Sequence, residues 1–103
     1  MTEYLLTIAI PTFNREAQLR AQLERLIPQI ARQPNVELLV CDNASTDGTE
    51  ALVRDFQTRI RGMRNIRHPA NLWFDANVYR AYHEASGEYV MFLSDDDPIL
   101  DDA

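Results

Sequence analysis

Three consecutive carboxylates, Asp95, Asp96 and Asp97, follow directly on an apolar run near the end of the chain. Adjacent like charges repel one another, so a cluster of this kind is costly to hold in place unless a cation neutralises it. Carboxylates without histidine or cysteine partners favour a hard ion such as Mg²⁺ or Mn²⁺. Because Mg²⁺ is commonly bound by carboxylates together with ligand phosphates, the cluster predicts a metal that bridges a phosphate-bearing ligand to the protein.

Strand and helix patterns alternate along the chain that leads to this cluster. Short apolar runs predict four strands, at 4–10, 36–41, 63–68 and 88–93. Apolar residues at helical spacing predict a helix between each pair of strands, the first over 15–32. Strands and helices in this order form right-handed βαβ units with a parallel sheet. We therefore predict an α/β protein, a three-layer α/β/α Rossmann-like fold, in one domain over residues 1–103.

Segments that contain polar residues follow the predicted strands at the point where each strand ends. They are Pro11, Thr12, Phe13 and Asn14 after the first strand, Asp42 and Asn43 after the second, Asn71 after the third and the three aspartates after the fourth. Because ligands of open parallel sheets bind beyond the carboxyl ends of the strands, these residues predict one site at that edge. An acidic tail in solvent is the alternative interpretation of the aspartates.

Composition limits the function classes further. The chain has 103 residues, a formal charge of −6, a single cysteine and arginine but no lysine. The negative charge argues against nucleic acid as the main partner. The lone Cys41 excludes an intramolecular disulfide and is predicted to be a small buried side chain. The start of the chain lacks the pattern of a signal peptide, so a cytoplasmic location is expected.

Several phosphate and metal motifs fail on single residues. A P-loop needs a lysine, which the chain does not contain. Only Gly48, Gly62 and Gly87 are present, so the dinucleotide fingerprint cannot form. A calcium loop starting at Asn43 has Arg54 at its twelfth position, where that loop requires glutamate. A phospho-acceptor receiver domain needs a lysine at a late strand end, and this chain has no lysine.

Four segments resemble the N-terminal part of the family 2 glycosyltransferases, which have the GT-A fold. The segments are I-A-I-P-T-F-N-R at 8–15, V-C-D-N-A-S-T-D-G-T at 40–49, N-L-W-F-D-A-N at 71–77 and A-S-G-E-Y-V-M-F-L-S-D-D-D at 85–97. They resemble, in order, the first-strand signature, the D-[DN]-x-S-x-D-G-T loop, the N-x-G-x-x-x-N segment and the strand that ends in the metal-binding D-x-D. The resemblance covers nearly the whole chain.

The resemblance implies a role for each matching residue. Pro11 to Asn14, together with Asp42, would hold the nucleoside of a nucleotide-sugar, with Asp42 accepting an imide N–H from the base. A turn-capping role is the alternative for Asp42. Asp95 would contact the ribose, and Asp96 and Asp97 would bind Mg²⁺ or Mn²⁺. The donor implied first is a UDP-sugar, and the acceptor a glycan or a lipid-linked sugar, as in bacterial surface polysaccharide synthesis.

The sequence departs from the family pattern in two motifs and in length. Ser94 replaces the usual first aspartate of the metal motif, and Trp73 replaces the glycine of the asparagine segment. Family members run to more than twice this length and carry the acceptor half and the general base downstream. The resemblance therefore implies the donor-binding N-terminal half of an inverting enzyme, inactive by itself. A non-catalytic nucleotide- or metal-binding module is the alternative.

The missing half would leave a strand edge and apolar surface exposed, which predicts a homodimer. The full protein would be cytoplasmic, or peripheral at the inner face of the cell membrane.

Local patterns add further predictions. Asn71 and Asn77 are expected to hold loop and helix rather than ligand, and His68 is expected at the surface of a strand end. Tyr79 and Tyr82 are expected in the core. Asp47 and Glu50 resemble a capping box that starts the second helix. Pro28 is expected to kink the first helix or shorten its last turn.

Overall fold

Strands and helices alternate strictly along the chain. The computed structural model describes residues 4–60, 63–70 and 74–94. The elements are β1 (Leu6–Thr12), α1 (Glu16–Ile30), β2 (Val36–Asp42), α2 (Thr49–Gln57), β3 (Met63–Arg67), α3 (Phe74–Glu84) and β4 (Tyr89–Phe92). All seven predicted elements are confirmed, and their bounds differ from the predicted ones by a few residues.

The four strands form a parallel sheet in the order β3-β2-β1-β4. Successive strands are added on one side of β1 up to β3, and the chain then crosses to the other side of β1 to form β4. The strand order therefore reverses between β1 and β4. In open α/β sheets this reversal leaves a crevice at the carboxyl ends of the two strands, where ligands bind.

Two apolar clusters cover the two faces of the sheet. On one face Ile10 and Val40 pack with residues of α1 and α2, among them Leu23 and Phe56. On the opposite face the smaller cluster consists of Ala9, Leu39, Cys41, Ile66 and Ala81, which brings α3 onto the sheet. Burial of alternate residues of one strand on opposite faces is the pattern of a sheet covered on both sides. The three-layer α/β/α prediction is confirmed.

The first strand is longer at its carboxyl end than predicted. Pro11 and Thr12 were expected to break the strand, but both belong to β1 and pair with Cys41 and Asp42 of β2. Ala9 accepts a hydrogen bond from the Leu93 N–H on the β4 side, and Pro11, two residues on, faces that same side. Pairing with β4 ends at Ala9, so the missing N–H of Pro11 removes no ladder bond.

Helix bounds also differ from the predictions. The first helix runs through Pro28 and ends at Ile30, two residues before its predicted end. The third helix begins at Phe74, within the segment predicted to be a loop. Tyr79 and Tyr82 were expected in the core and are instead 67% and 62% exposed. The smaller Ala81 is the residue through which α3 enters the core, so the prediction for the two tyrosines was wrong.

A buried carboxylate ties the start of β4 to the amino edge of the sheet. Glu37 of β2 is 1% exposed and accepts hydrogen bonds from Thr7 Oγ1 at 2.9 Å and from the Ser86 N–H at 3.1 Å. The Gly87 N–H donates to Thr7 Oγ1 at 2.8 Å. Arg64 Nη1 lies 3.3 Å from the other oxygen of Glu37 and balances its charge. The turn before β4 is therefore fixed to β1 and β2 by polar contacts.

Candidate functional site

Three polar residues stand side by side at the carboxyl edge of the sheet. Thr12 of β1 is in register with Asp42 of β2, and Asp42 is in register with Arg67 of β3. Each residue is the last of its strand, so the row lies where the sheet gives way to loops. The prediction that residues from different strand ends meet at one edge is confirmed for Thr12 and Asp42.

Asp42 is the most enclosed of the described carboxylates at this edge. Its side chain has no exposed surface. Oδ1 accepts a hydrogen bond from the Ser45 N–H at 2.9 Å, and Oδ2 accepts one from Arg67 Nη1 at 2.9 Å. Asp42 thus caps the turn that follows β2 and forms a buried ion pair. A carboxylate has about four acceptor positions, so two of them remain for a ligand once the side chain is uncovered.

Arg67 is the exposed member of that ion pair. Its side chain is 36% exposed, and Nη1 also donates to the Ser45 carbonyl oxygen at 3.1 Å. Its Nε lies 3.1 Å from the Glu50 carboxylate. Two carboxylates on different elements therefore fix the plane of the guanidinium. Within the described part of the chain, no partner contacts the second terminal nitrogen, Nη2.

The loops after β1 and β2 are hydrogen-bonded to each other. The Asn14 N–H donates to Ser45 Oγ at 2.9 Å, and the Thr46 N–H donates to Asn14 Oδ1 at 2.7 Å. Asn14 has a φ of 51°, a left-handed conformation that asparagine tolerates better than most residues. This conformation carries the Asn14 side chain across to the second loop, and the two loops form one surface.

The starts of α1 and α2 cap each other across these loops. The Glu16 N–H donates to Asp47 Oδ2 at 3.3 Å, and the Gly48 N–H donates to Glu16 Oε1 at 3.1 Å. Burial alone would raise the pKa of Asp47, but hydrogen bonds from Thr49 and from the Glu16 N–H outweigh it and lower the pKa. The predicted capping box does not form, because Gly48 rather than Asp47 is the N-cap of α2, and Glu50 pairs with Arg54 and Arg67.

A buried polar bridge connects β2, the end of β3 and α3 behind this edge. His68 is fully buried, and its Nε2 lies 2.7 Å from Asn77 Oδ1. Asn77 Nδ2 donates to the Cys41 carbonyl oxygen at 3.1 Å, and the His68 N–H donates to the Asp42 carbonyl oxygen at 3.0 Å. The structural role predicted for Asn77 is confirmed. The surface position predicted for His68 was wrong, because α3 covers the strand end and encloses the ring.

Phe13 is a large apolar side chain that is exposed to solvent at this edge. It follows Thr12 directly and is 39% exposed. A half-exposed aromatic ring beside polar strand ends can stack against a flat heterocycle, and base stacking on an aromatic side chain contributes about 1–3 kcal/mol. Of the predicted nucleotide-binding residues, Pro11, Thr12, Phe13, Asn14 and Asp42 are thus contiguous at the edge.

The acidic cluster itself lies outside the described residues, as do Asn71 and Trp73. The chain is described as far as Ser94, whose carbonyl oxygen accepts a hydrogen bond from Gln22 Nε2 of α1 at 3.0 Å. The Gln22 contact places the end of β4 against α1. The hydrogen bond from the Leu93 N–H to the Ala9 carbonyl oxygen places it beside β1. Asp95 follows Ser94 directly in the sequence.

The described carboxylates of this edge are engaged in contacts within the chain. Asp42, Asp47 and Glu50 are all engaged by hydrogen bonds or arginines. Among residues 4–60, 63–70 and 74–94, no group of three or more histidine, cysteine or acidic side chains could hold a metal ion. The metal site predicted at Asp96 and Asp97 lies outside the described residues and stays a prediction.

Sequence reasoning missed Arg67 and Glu16. An arginine that ends an alternating strand, beside strand-end acids, is a signal that could have pointed to Arg67. The contact from Glu16 to Gly48 depends on how two loops approach, and no local pattern contains it.

Within the described residues, no helix is both long enough and apolar enough to cross a membrane.

The fold defines a class of protein: an α/β domain of the GT-A type, here with a row of polar side chains at the carboxyl edge of its sheet. A sequence model of the family described as Glycosyl transferase family 2 matches residues 7–103. The chain belongs to this family. The relationship predicted from the four sequence segments is confirmed.

A characterised relative shows the extent of the similarity. The chain is 34% identical over 103 residues to the GalNAc(5)-diNAcBac-PP-undecaprenol beta-1,3-glucosyltransferase of Campylobacter jejuni. The match covers 95% of this chain and 31% of the relative. The chain thus spans about a third of the length of the curated relative.

Solved structures support the fold. The structure of S. aureus TarS 1-349 in complex with UDP-GlcNAc superposes with a TM-score of 0.76 at 26% identity, and the match covers 89% of this chain and 26% of the TarS 1-349 chain. The mannosyltransferase PcManGT from Pyrobaculum calidifontis, in complex with GDP-Man and Mn²⁺, superposes with a TM-score of 0.78 at 24% identity. That match covers 88% of this chain and 27% of the mannosyltransferase.

Proposed function

We propose that this chain forms the donor-binding part of a glycosyltransferase that transfers a sugar from a nucleoside diphosphate sugar to a glycan or lipid-linked acceptor. The observation that carries the proposal is the reversal of strand order between β1 and β4. It sets the residues after β1 beside the segment that leads into Asp95, Asp96 and Asp97. The family match over residues 7–103 supports this proposal.

The nucleoside is held by groups of the first two loops in this proposal. The base stacks on the exposed face of Phe13, and Asp42 accepts an imide N–H from its edge. Uracil and guanine both carry such an N–H next to a carbonyl. Pro11, Thr12 and Asn14 form the floor and wall beside it, and Asp95 binds the ribose. A UDP-sugar is the first candidate, since TarS, at 26% identity, is described with UDP-GlcNAc.

Asp96 and Asp97 hold a divalent metal in this proposal. When bound, Mg²⁺ or Mn²⁺ neutralises the charge that develops on the diphosphate leaving group. Support comes from the mannosyltransferase of the same fold, which is described with Mn²⁺, and from the engagement of every described carboxylate of this edge in other contacts. Mg²⁺ and Mn²⁺ are equally suited to this oxygen donor set.

The acceptor reaction needs a group that this chain is proposed to lack. An inverting displacement requires a general base that takes the proton of the acceptor hydroxyl. The resemblance assigns that base to the acceptor half of longer family members. The isolated chain is therefore proposed to bind nucleotide without turnover. The whole protein would work on the cytoplasmic side, at or near the membrane, since the Campylobacter relative is named for an undecaprenol-linked substrate.

Calorimetric titration of the chain with UDP, with and without Mn²⁺, tests the proposal. We expect binding that requires Mn²⁺ and is lost in Asp96→Ala. Asp101→Ala is the matched control, because it removes one carboxylate of the same acidic segment outside the D-x-D motif. Binding by both variants alike would contradict the metal assignment. Absence of binding to UDP, GDP, CDP and TDP would contradict the donor-site proposal.

A further inference from the structure

Asp42, the proposed acceptor for the base, is covered by neighbouring groups of the chain. Its side chain has no exposed surface, and each oxygen already accepts a hydrogen bond. The Ser45 N–H that binds Oδ1 belongs to a turn fixed by Asn14. The Arg67 group that binds Oδ2 belongs to a side chain that is 36% exposed. Of the two partners, the arginine is the one that a ligand can displace.

We propose that Arg67 is a specificity-determining residue for the base, which enters by inserting its edge between Arg67 and Asp42; this inference rests on the proposed function. The imide N–H of the base replaces the Arg67 N–H at Asp42 Oδ2. The carbonyl next to that imide accepts the guanidinium N–H that Asp42 has released. The number of hydrogen bonds is conserved, so opening the buried ion pair leaves neither partner unsatisfied.

The surroundings of Arg67 suit this exchange. Glu50 holds Nε at 3.1 Å from the side away from Asp42, so the guanidinium keeps a partner while Nη1 changes its own. Nη2 has no partner within the described residues and supplies a second donor to the same carbonyl. The planar, always charged guanidinium offers donors in a fixed fork, a geometry that lysine lacks. The register of Asp42 with Arg67 places acceptor and donor at adjacent strand ends.

This arrangement discriminates between bases by the order of donor and acceptor along their edge. Uracil presents an N–H beside a carbonyl, which matches the Asp42 acceptor and the Arg67 donor. Cytosine presents an unprotonated nitrogen beside an amino group, the reverse order. A cytosine edge would place an acceptor against Asp42 and a donor against Arg67. Sites that match a hydrogen-bonding edge reject the mismatched analogue strongly, because buried groups are then left unpaired.

The test measures dissociation constants for UDP and CDP in the presence of Mn²⁺. For the unaltered chain we expect UDP to bind at least about tenfold more tightly than CDP. In Arg67→Gln we expect weaker UDP binding and a UDP-to-CDP ratio at least about threefold lower than that of the unaltered chain, since the mismatch at Asp42 remains. Arg54→Gln is the matched control: it removes the same charge and also a contact to Glu50, on the outer face of α2, and should preserve the ratio.

Arg67→Lys provides a second variant that keeps a positive charge beside buried Asp42, should Arg67→Gln fail to fold. We expect it to lower the UDP-to-CDP ratio as well, because an ammonium group cannot reproduce the fork. Equal weakening of UDP and CDP in both variants would overturn the inference, since it would assign Arg67 to the phosphates. An unchanged ratio would overturn it too. A chain that binds neither nucleotide would overturn the proposed function, and this inference with it.

Discussion

At the scale of single residues, the side chains at the carboxyl edge are of two kinds, enclosed and open to solvent. Asp42 and His68 are enclosed and hold the strand ends together, whereas Phe13 and Arg67 are open to solvent. Side chains of the second kind can meet a ligand without rearrangement of the backbone. Enclosed side chains contact a ligand only after the ligand displaces a neighbouring group.

Cys41 gives a residue-scale prediction about pH. Burial, the largest cause, raises the pKa of the thiol to about 12. Below about pH 8.5 the thiol is protonated in both the folded and the unfolded chain, so it causes no pH dependence. Above that pH the unfolded thiol ionises first, and folding stability falls as the pH rises toward the folded pKa.

Between pH 8 and pH 10 we expect this thiol to remove about 1–2 kcal/mol of unfolding free energy. Urea unfolding of the chain and of Cys41→Ala at both pH values measures the effect. All other titratable groups are common to both proteins, so the difference between the two pH dependences isolates Cys41. Equal pH dependence of the two proteins would contradict the assignment.

At the scale of elements, the sheet is held at its two edges by different devices. At the carboxyl edge, His68 and Asn77 connect β2 and the end of β3 to α3. At the amino edge, Glu37 and Thr7 connect the turn between α3 and β4 to the sheet. The second device sets where β4 begins, and hence the point at which the chain reaches Ser94.

Glu37→Ala tests the amino-edge device. The substitution leaves Arg64 without its buried partner and removes the acceptor of Thr7 and Ser86. Loss of one member of a buried ion pair typically costs about 3–5 kcal/mol, and we expect about 3 here because Arg64 is partly exposed. Chemical denaturation measures the change.

Glu84→Ala is the control for this prediction. Glu84 Oε2 lies 3.6 Å from Arg64 Nη2, but Glu84 is 43% exposed. Exposed ion pairs contribute about 1 kcal/mol or less, so this variant should lose little stability. Similar losses in the two variants would show that burial of Glu37 is not what makes it important.

Element types and their order were accessible from the sequence because the apolar patterns are periodic. Val36–Asp42 is a run of buried residues between polar segments, and Leu19, Leu23, Leu26 and Ile30 mark one face of α1. The enclosure of His68 was not accessible. It depends on how α3 crosses the strand end, and no local pattern encodes that crossing.

Site residues show the same division. Asp42 was predicted because it follows an apolar strand and matches a family motif. Arg67 matches no family motif, and its position at a strand end is a weaker signal, because strand register is what places it against Asp42. The exposure of Tyr82 was missed because helical spacing alone does not distinguish it from Ala81, which fills the position against the sheet.

At the scale of the whole molecule, β4 is the last strand on its side of the sheet among the described residues. Tyr89, Met91 and Phe92 of this strand are all exposed large apolar residues. A strand of this kind presents unpaired backbone groups beside apolar side chains, which favours pairing with a second chain. The homodimer expected from the sequence stays a prediction, and this strand is where we expect it to form.

Sedimentation velocity over a range of concentrations measures that association. We expect a monomer–dimer equilibrium that Tyr89→Lys shifts toward monomer, since a charged residue on an edge strand disfavours pairing. Tyr79→Lys is the control, because Tyr79 is 67% exposed on α3 rather than on β4. A chain that stays monomeric at the highest concentration would contradict the prediction.

The mutual bonds between the loops after β1 and β2 have a consequence for protein engineering. The Asn14 and Glu16 N–H groups donate to the side chains of Ser45 and Asp47. The side chains of Asn14 and Glu16 accept in turn from the Thr46 and Gly48 N–H groups, so neither loop keeps its shape without the other. A loop graft intended to change ligand preference would have to transfer residues 13–16 and 43–48 together. Insertions or deletions in one loop alone would disturb both, and libraries that vary the site should leave both lengths fixed.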